Sequence, residues 1–269
     1  MDEERQSNPV SELGLDVVHG DGVATGEATV PEGACVPGTW IPRSAILVTY
    51  ADIIAGSQAR QLTLPNMSVT VDLSLDVSDD DTPFARRVEE ITLRSQVLRS
   101  GKRMVVTETL FALPGQSAPF AVCTGSFSVI NSTHNFLGND AWAQRSRHER
   151  PLLSAPLLDR VGMRVTAPGT AEIAHRSDLG NSTGTLMGGM TALLAEVAAD
   201  SAAEAESGRP HRVTRLLIRY LAPVRVGPAR ATAELMPGRR ERLARVAVRD
   251  TDAESLFAAD VTAACVPVA

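Results

Sequence analysis

Residues 181–196 read NSTGTLMGGMTALLAE, and the way this stretch is read decides the fold. Asn181, Gly184, Gly188 and Gly189 form a polar, glycine-broken turn that runs straight into an apolar helical pattern carrying one acid, Glu196. An earlier stretch, ILVTYADIIAGSQA at 46–59, has the same character as MTALLAEVAADSAA at 190–203: small, apolar, helical in period, with an acid after an alanine. Aligning Asp52 with Glu196 sets an offset of 144, and that offset also lays Thr70 on Thr214. The chain repeats itself.

Each helical stretch is followed by alternating or apolar β-type segments. In the first copy these are SVTVDLSLDV, ARRVEEITLRSQVLRS, KRMVVTETLFAL and FAVCTGSFSVI; in the second, RVTRLLIRYLAPVRV, ARATAELMP, ERLARVAVRD and LFAADVTAACV. Gly101 matches Gly238 and Phe120 matches Phe257 at an offset of 137, so the first copy carries about seven extra residues, placed most simply in the loop SDDDTP. Upstream, LGLDVVHGDGVATGEATV and VGMRVTAPGTAEIAH both read as two-strand openings. The predicted class is α+β: two units at 11–130 and 157–269, each a long central helix wrapped by an antiparallel sheet, with a linker at 131–156. Helices apolar all round and rich in Ala, Gly and Ser are expected to be buried; the competing arrangement lays each helix on one face of an open sheet.

Composition narrows the function classes. The chain has 269 residues, 43% hydrophobic and 22% charged, which predicts a folded protein, and no apolar run reaches the length of a membrane span. A net charge of −6 gives no general attraction to nucleic acid. Cys35, Cys123 and Cys265 are odd in number and far apart, which disfavours disulfides and a cysteine zinc site, and the five histidines show no ligand spacing. With the acidic N-terminus, this sets a cytoplasmic expectation, with no metal and no bound cofactor.

The motif N-x-x-G-x-x-M-G-G at 181–189 fits acyl transfer. Glycines at a helix start let backbone N–H groups face a ligand where the helix dipole is positive, so an oxyanion is stabilised there. Asn181 adds a side-chain donor, and a carboxylate inside the helix can activate water or attack a carbonyl. The same residues have plainer readings: acids on alanine-rich helices are commonly surface groups, and Thr70 and Thr214 are ordinary β-formers.

At these residues the chain resembles the PaaI-like hotdog-fold thioesterases, whose signature is N-x-x-G-x-x-H-G-G followed by an apolar helix with Asp or Glu. The resemblance runs over essentially the whole chain and implies a double hotdog: two fused hotdog domains packed as the usual homodimer is. It implies Asn181 as the carbonyl-polarising amide, Gly188 as the oxyanion N–H, Asp52 and Glu196 as the family's acid, and Thr70 and Thr214 as its water-holding hydroxyl. Met187 stands where the family often has histidine, making the pocket entrance beside Gly189 more apolar. Arg239, Arg240 and Arg242, in the hairpin GRRERLAR, lie where such proteins often meet the phosphates of coenzyme A.

The first copy departs from the signature, with Pro37 in place of Asn181 and Ser44 in place of Gly188. The family crosses its sites, taking oxyanion donors from one hotdog and the acid from the other. One complete combination remains: Asn181 and Gly188 with Asp52 and Thr70. The expected activity is hydrolysis of an acyl-CoA, with further oligomerisation open. The alternatives are a non-catalytic acyl-CoA binder on the same fold and, lower in rank, a hydratase, which would need a histidine near the helix start.

Overall fold

The computed structural model describes residues 8–20, 22–131, 152–237 and 242–268. Most of the expected linker and Arg239 and Arg240 lie outside the described residues. The first half runs β1 (Leu15–His19), β2 (Val23–Thr29), α1 (Ser44–Thr63), β3 (Met67–Val77), β4 (Glu90–Ser100), β5 (Met104–Ala112) and β6 (Ala121–Ile130). A short helix, α2 (Leu157–Val161), opens the second, followed by β7 (Arg164–Ala167), β8 (Thr170–Ile173), α3 (Gly188–Ser207), β9 (His211–Tyr220), β10 (Ala229–Leu235), β11 (Arg242–Asp250) and β12 (Leu256–Pro267).

The twelve strands form one antiparallel sheet in the order β1-β2-β4-β5-β6-β3-β9-β12-β11-β10-β8-β7. Read from each outer edge inward, the two halves have the same order, and they meet where β3 pairs with β9. There Leu73 faces Ile218 and Ser74 faces Leu217, so a local twofold axis passes between these two pairs. The helices are the repeat's most exact feature: both are 20 residues long and start 144 apart, at Ser44 and Gly188. The first residues of β4 and β10, 90 and 229, are only 139 apart, so most of the extra length of the first copy lies between β3 and β4, in the segment that contains SDDDTP.

Burial decides between the two helix arrangements. Every residue from Ser44 to Ala51 and from Gly189 to Ala199 is buried, so the sheet curves around both helix starts. Each helix stops for a local reason. Pro65 follows α1 and cannot continue it, while α3 ends on Gly208 at φ +69°, whose N–H returns to the Glu204 carbonyl at 2.8 Å. The halves are also tied by side chains: Arg160 donates to both oxygens of Glu12, at 2.8 and 3.0 Å, and to Asp178 at 3.1 Å.

The two helices touch at their N-terminal ends, and Gly189 permits it. A Cβ there would lie 2.2 Å from Thr49 Oγ1 and 3.0 Å from Thr49 Cβ. Alanine is the better helix former, yet Gly189→Ala is expected to destabilise the protein by about 1–3 kcal/mol through overpacking. Urea midpoints would check this, and adding Thr49→Ala should recover part of the loss.

Candidate active site

Beyond the pair Asp72 and Arg219, strands β3 and β9 no longer run together. The gap is a cleft of about 860 Å³, lined by Asp52 and Gly56 of α1, by 67–71 of β3, by Asn181 and Gly188, and by Tyr220 with the segment after it. The cleft therefore draws on both halves. Of the sequence candidates, it gathers Asp52, Thr70, Asn181 and Gly188.

Asp52 is half-buried and points its two oxygens at different partners. Thr70 Oγ1 donates to Oδ1 at 2.7 Å, while Oδ2 faces the start of α3: a Cβ on Gly188 would sit 3.3 Å from it. Burial holds the Asp52 carboxyl above the usual range, against the Thr70 hydrogen bond, which lowers it. Thr70 reaches the acid because a bulge in β3 leaves Val71 without a partner, while Thr70 stays opposite the buried Phe127.

The loop 181–186 builds the other wall. Asn181 Oδ1 accepts the N–H groups of Thr183 at 2.9 Å and Thr185 at 3.2 Å, and the Thr183 hydroxyl at 2.7 Å. Three donors on the amide oxygen leave the NH₂ group as the outward donor. Gly184, at φ +73°, makes the turn and returns its N–H to the Asn181 carbonyl. Gly188 opens α3, so its N–H is one of the first-turn amides with no partner inside the helix. The segment 225–227 is fixed by the fully buried Asp250, whose carboxylate accepts the N–H groups of Arg225, Val226 and Gly227 at 2.8, 3.0 and 2.7 Å. Burial disfavours the Asp250 charge, but these amides outweigh it and hold its pKa below the usual value.

The local twofold axis generates a second locus, and there the chemistry differs. Glu196 is fully buried and its Oε2 accepts the Ala45 N–H of α1 at 2.6 Å. Arg43 lies 3.6 Å from Glu196 and 3.5 Å from Asp200. Burial raises the Glu196 carboxyl, with Arg43 working against it; Asp200 is pushed up further, by burial and then by the Glu196 charge. At offset 144, Asp200 replaces Gly56 and the buried Arg212 replaces Ser68, both cleft-lining residues in the open locus. Arg212 bonds to Asp81 in the longer β3–β4 segment. What is left is a smaller pocket of about 390 Å³ around Asp76, Ser78 and Thr214.

The remaining candidates fall elsewhere. Thr214 is itself the bulged residue, and its hydroxyl donates to the Ala264 carbonyl at 3.4 Å instead of to Glu196. Met187 does not line the cleft; its sulfur accepts from Asn8 at 3.4 Å. Gly189 is packed against Thr49 and also lies off the cleft. Arg242 pairs on the surface with Glu206 at 2.8 Å, away from the cleft, and Arg239 and Arg240 are outside the described residues. Among the described residues, no group of three His, Cys, Asp or Glu is placed to hold a metal, and no helix is long and apolar enough to cross a membrane.

Sequence reading missed Tyr220. Its hydroxyl donates to the Gly188 carbonyl at 3.1 Å and sits 3.2 Å from where a Gly188 Cβ would be, against Asp52. The only signal was its rarity, as one of two tyrosines, at the end of an apolar strand.

The two acids should separate in stability measurements. Glu196→Ala removes the Ala45 acceptor and half of Arg43's compensation, so a loss of about 3–5 kcal/mol is expected. Asp52→Asn should instead stabilise. Because the folded pKa of Asp52 is raised, its ionisation costs stability as pH rises through that value, and the gain should vanish below the ordinary carboxylate range. Urea unfolding at acid and neutral pH checks both signs.

No protein-family model matches the chain, and no curated protein matches it in sequence. Solved structures do match in fold. A protein described as an oleoyl thioesterase (putative) from Lactobacillus plantarum is 14% identical with a TM-score of 0.62, over 91% of this chain and 95% of that one. The 12:0-ACP thioesterase from Umbellularia californica is 10% identical with a TM-score of 0.61, over 93% and 99%. An acyl-ACP thioesterase from Bacteroides thetaiotaomicron is 10% identical with a TM-score of 0.59, over 91% and 98%. Across nearly its whole length, this chain has the hotdog fold.

Proposed function

We propose that the chain is a pair of fused hotdog domains sharing one working site, and that this site hydrolyses acyl thioesters. The observation that carries the reading is the crossing: the free oxygen of Asp52 in one half faces the Gly188 helix start of the other. The thioesterase names of the structural neighbours agree with it.

In this reading the thioester oxygen accepts from the Gly188 N–H and the Asn181 NH₂, at the positive end of α3. Thr70 holds Oδ1 of Asp52, leaving Oδ2 to take a proton from water as that water attacks the carbonyl carbon. When the tetrahedral intermediate collapses, the C–S bond breaks and the proton on Asp52 passes to the departing sulfur. One water is consumed; a carboxylic acid and a thiol are formed. Tyr220 anchors the Gly188 carbonyl, and so the orientation of the peptide that opens the helix. Glu196 has no such role, since its oxygen already occupies the helix start it faces.

The test is free-thiol release from coenzyme A thioesters of short, long and aryl acids. Wild type should turn over at least one of them, and Glu196→Gln, in so far as it folds, should retain activity. Asp52→Asn should be inactive, and Asn181→Ala should lose about 10²- to 10³-fold in kcat. Since Asp52 must be ionised, kcat/KM should rise with pH along a limb displaced above the ordinary carboxylate range. Undiminished turnover by Asp52→Asn would overturn the assignment, as would binding of acyl-CoA without any release of thiol.

A further inference from the structure

The loop 181–185 is closed on itself. The Asn181 N–H donates to the Thr185 carbonyl at 2.8 Å and the Gly184 N–H to the Asn181 carbonyl at 2.9 Å, while the Asn181 amide oxygen collects three donors from within the loop. These bonds fix the shape of the loop but not its place over the cleft. Its base is set by the bridge between Gly180 and Leu186 and by the Leu186 N–H, which donates to the Val224 carbonyl at 3.0 Å. Its tip is met by a side chain from outside: His175 Nε2 lies 3.1 Å from the Gly184 carbonyl. A carbonyl only accepts, so Nε2 is the donor and carries the proton. Among the described residues, no other hydrogen bond reaches 181–185 from elsewhere in the chain.

His175 can brace the loop because it is itself wedged. It stands two residues beyond the end of β8 and is half-buried. Its backbone and Cβ lie against Gly227, where a Cβ would come 2.6 Å from His175 Cβ and 2.9 Å from His175 N. Only a glycine permits that approach, and Gly227 also has φ +73°. The Gly227 N–H is in turn held at 2.7 Å by the fully buried carboxylate of Asp250. A line of direct contacts thus runs from a buried acid through Gly227 and His175 to Gly184, and through the turn to Asn181, which lines the cleft.

We propose that His175 is a positioning residue: by holding the Gly184 carbonyl, it fixes where the loop presents the Asn181 amide to the thioester oxygen. The inference rests on the thioesterase reading and adds to it a residue that does not line the cleft. A solvent-exposed hydrogen bond of this kind contributes little to stability. A donor moved away from the place where negative charge develops, by contrast, loses much of its effect on the transition state. Loss of the brace should therefore show in turnover more than in folding.

The experiment measures thiol release from the CoA thioester that wild type turns over fastest. His175→Ala should lose about tenfold in kcat, with KM within about twofold of wild type. His175→Gln, whose amide nitrogen can stand where Nε2 does, should recover to within about threefold of wild type; His175→Asn, which reaches only the Nδ1 position, should not. In an Asn181→Ala background, His175→Ala should cost less than about twofold, because the group it positions is gone. A full loss in both backgrounds, a change confined to KM, an unimpaired His175→Ala, or equal behaviour of the Gln and Asn variants would each overturn the positioning role and leave hydrolysis standing. If His175→Ala fails to fold by circular dichroism, the comparison of Gln with Asn decides alone. If wild type releases no thiol, the hydrolytic reading fails and binding decides for His175. Wild type should then hold the ketone analogue of dodecanoyl-CoA, with CH₂ in place of sulfur, at least about fivefold more tightly than the thioether analogue that lacks the oxygen. His175→Ala should erase that preference. No preference in wild type, or the same preference in the variant, would sink the proposal.

Discussion

The antiparallel pairing of Asp72–Asp76 with Arg215–Arg219 is the constraint on which the other features depend. Ten backbone positions, five on each strand, fuse two half-sheets into one and fix a local twofold axis between them. That axis brings α1 and α3 together at their N-terminal ends, close enough that only glycine fits at 189. It also forces the crossing: an acid two turns into either helix can only meet the start of the other. A shift of one residue in this register would turn the side chains of a joining strand to the opposite face.

Symmetry of backbone has not preserved symmetry of chemistry. In one locus the acid is aspartate, the neighbouring positions are Gly56 and Ser68, and a cleft remains. In the other the acid is longer by one methylene, reaches the facing amide itself, and shares Arg43 with Asp200, which also feels the charge of Arg212. The longer β3–β4 segment supplies Asp81 to Arg212. A buried cluster of this sort contributes little net stability but is costly to break, which explains why a locus with no open cleft keeps its charges.

Much of this was legible in the sequence, because repetition is visible without coordinates. The offset of 144 between Asp52 and Glu196 is also the spacing of the two helix starts, although both helices begin two residues before the stretches read as 46–59 and 190–203, and the β-type segments coincide with the strands after each helix. The crossing of Asp52 with Gly188 came from the resemblance. What escaped reading was set by single side chains in three dimensions. Thr214 is a good match to Thr70 in sequence, yet a bulge displaced by one residue turns its hydroxyl to a carbonyl. Met187 and Gly189 belong to the motif, but one faces Asn8 and the other Thr49. Tyr220 aligns with Asp76, so the repeat itself concealed it.

Asp250 carries a consequence for how the cleft behaves in acid. Its carboxylate holds three successive amides, the first that of the cleft-lining Arg225, and those amides keep it ionised to lower pH than an ordinary aspartate. Asp52 is shifted the other way and takes up its proton earlier on the descent. Between the two titrations the molecule passes through a range in which the wall keeps its shape while the carboxylate inside it is neutral. In that range protons alone change the charge inside an otherwise unaltered cleft, and their removal restores it.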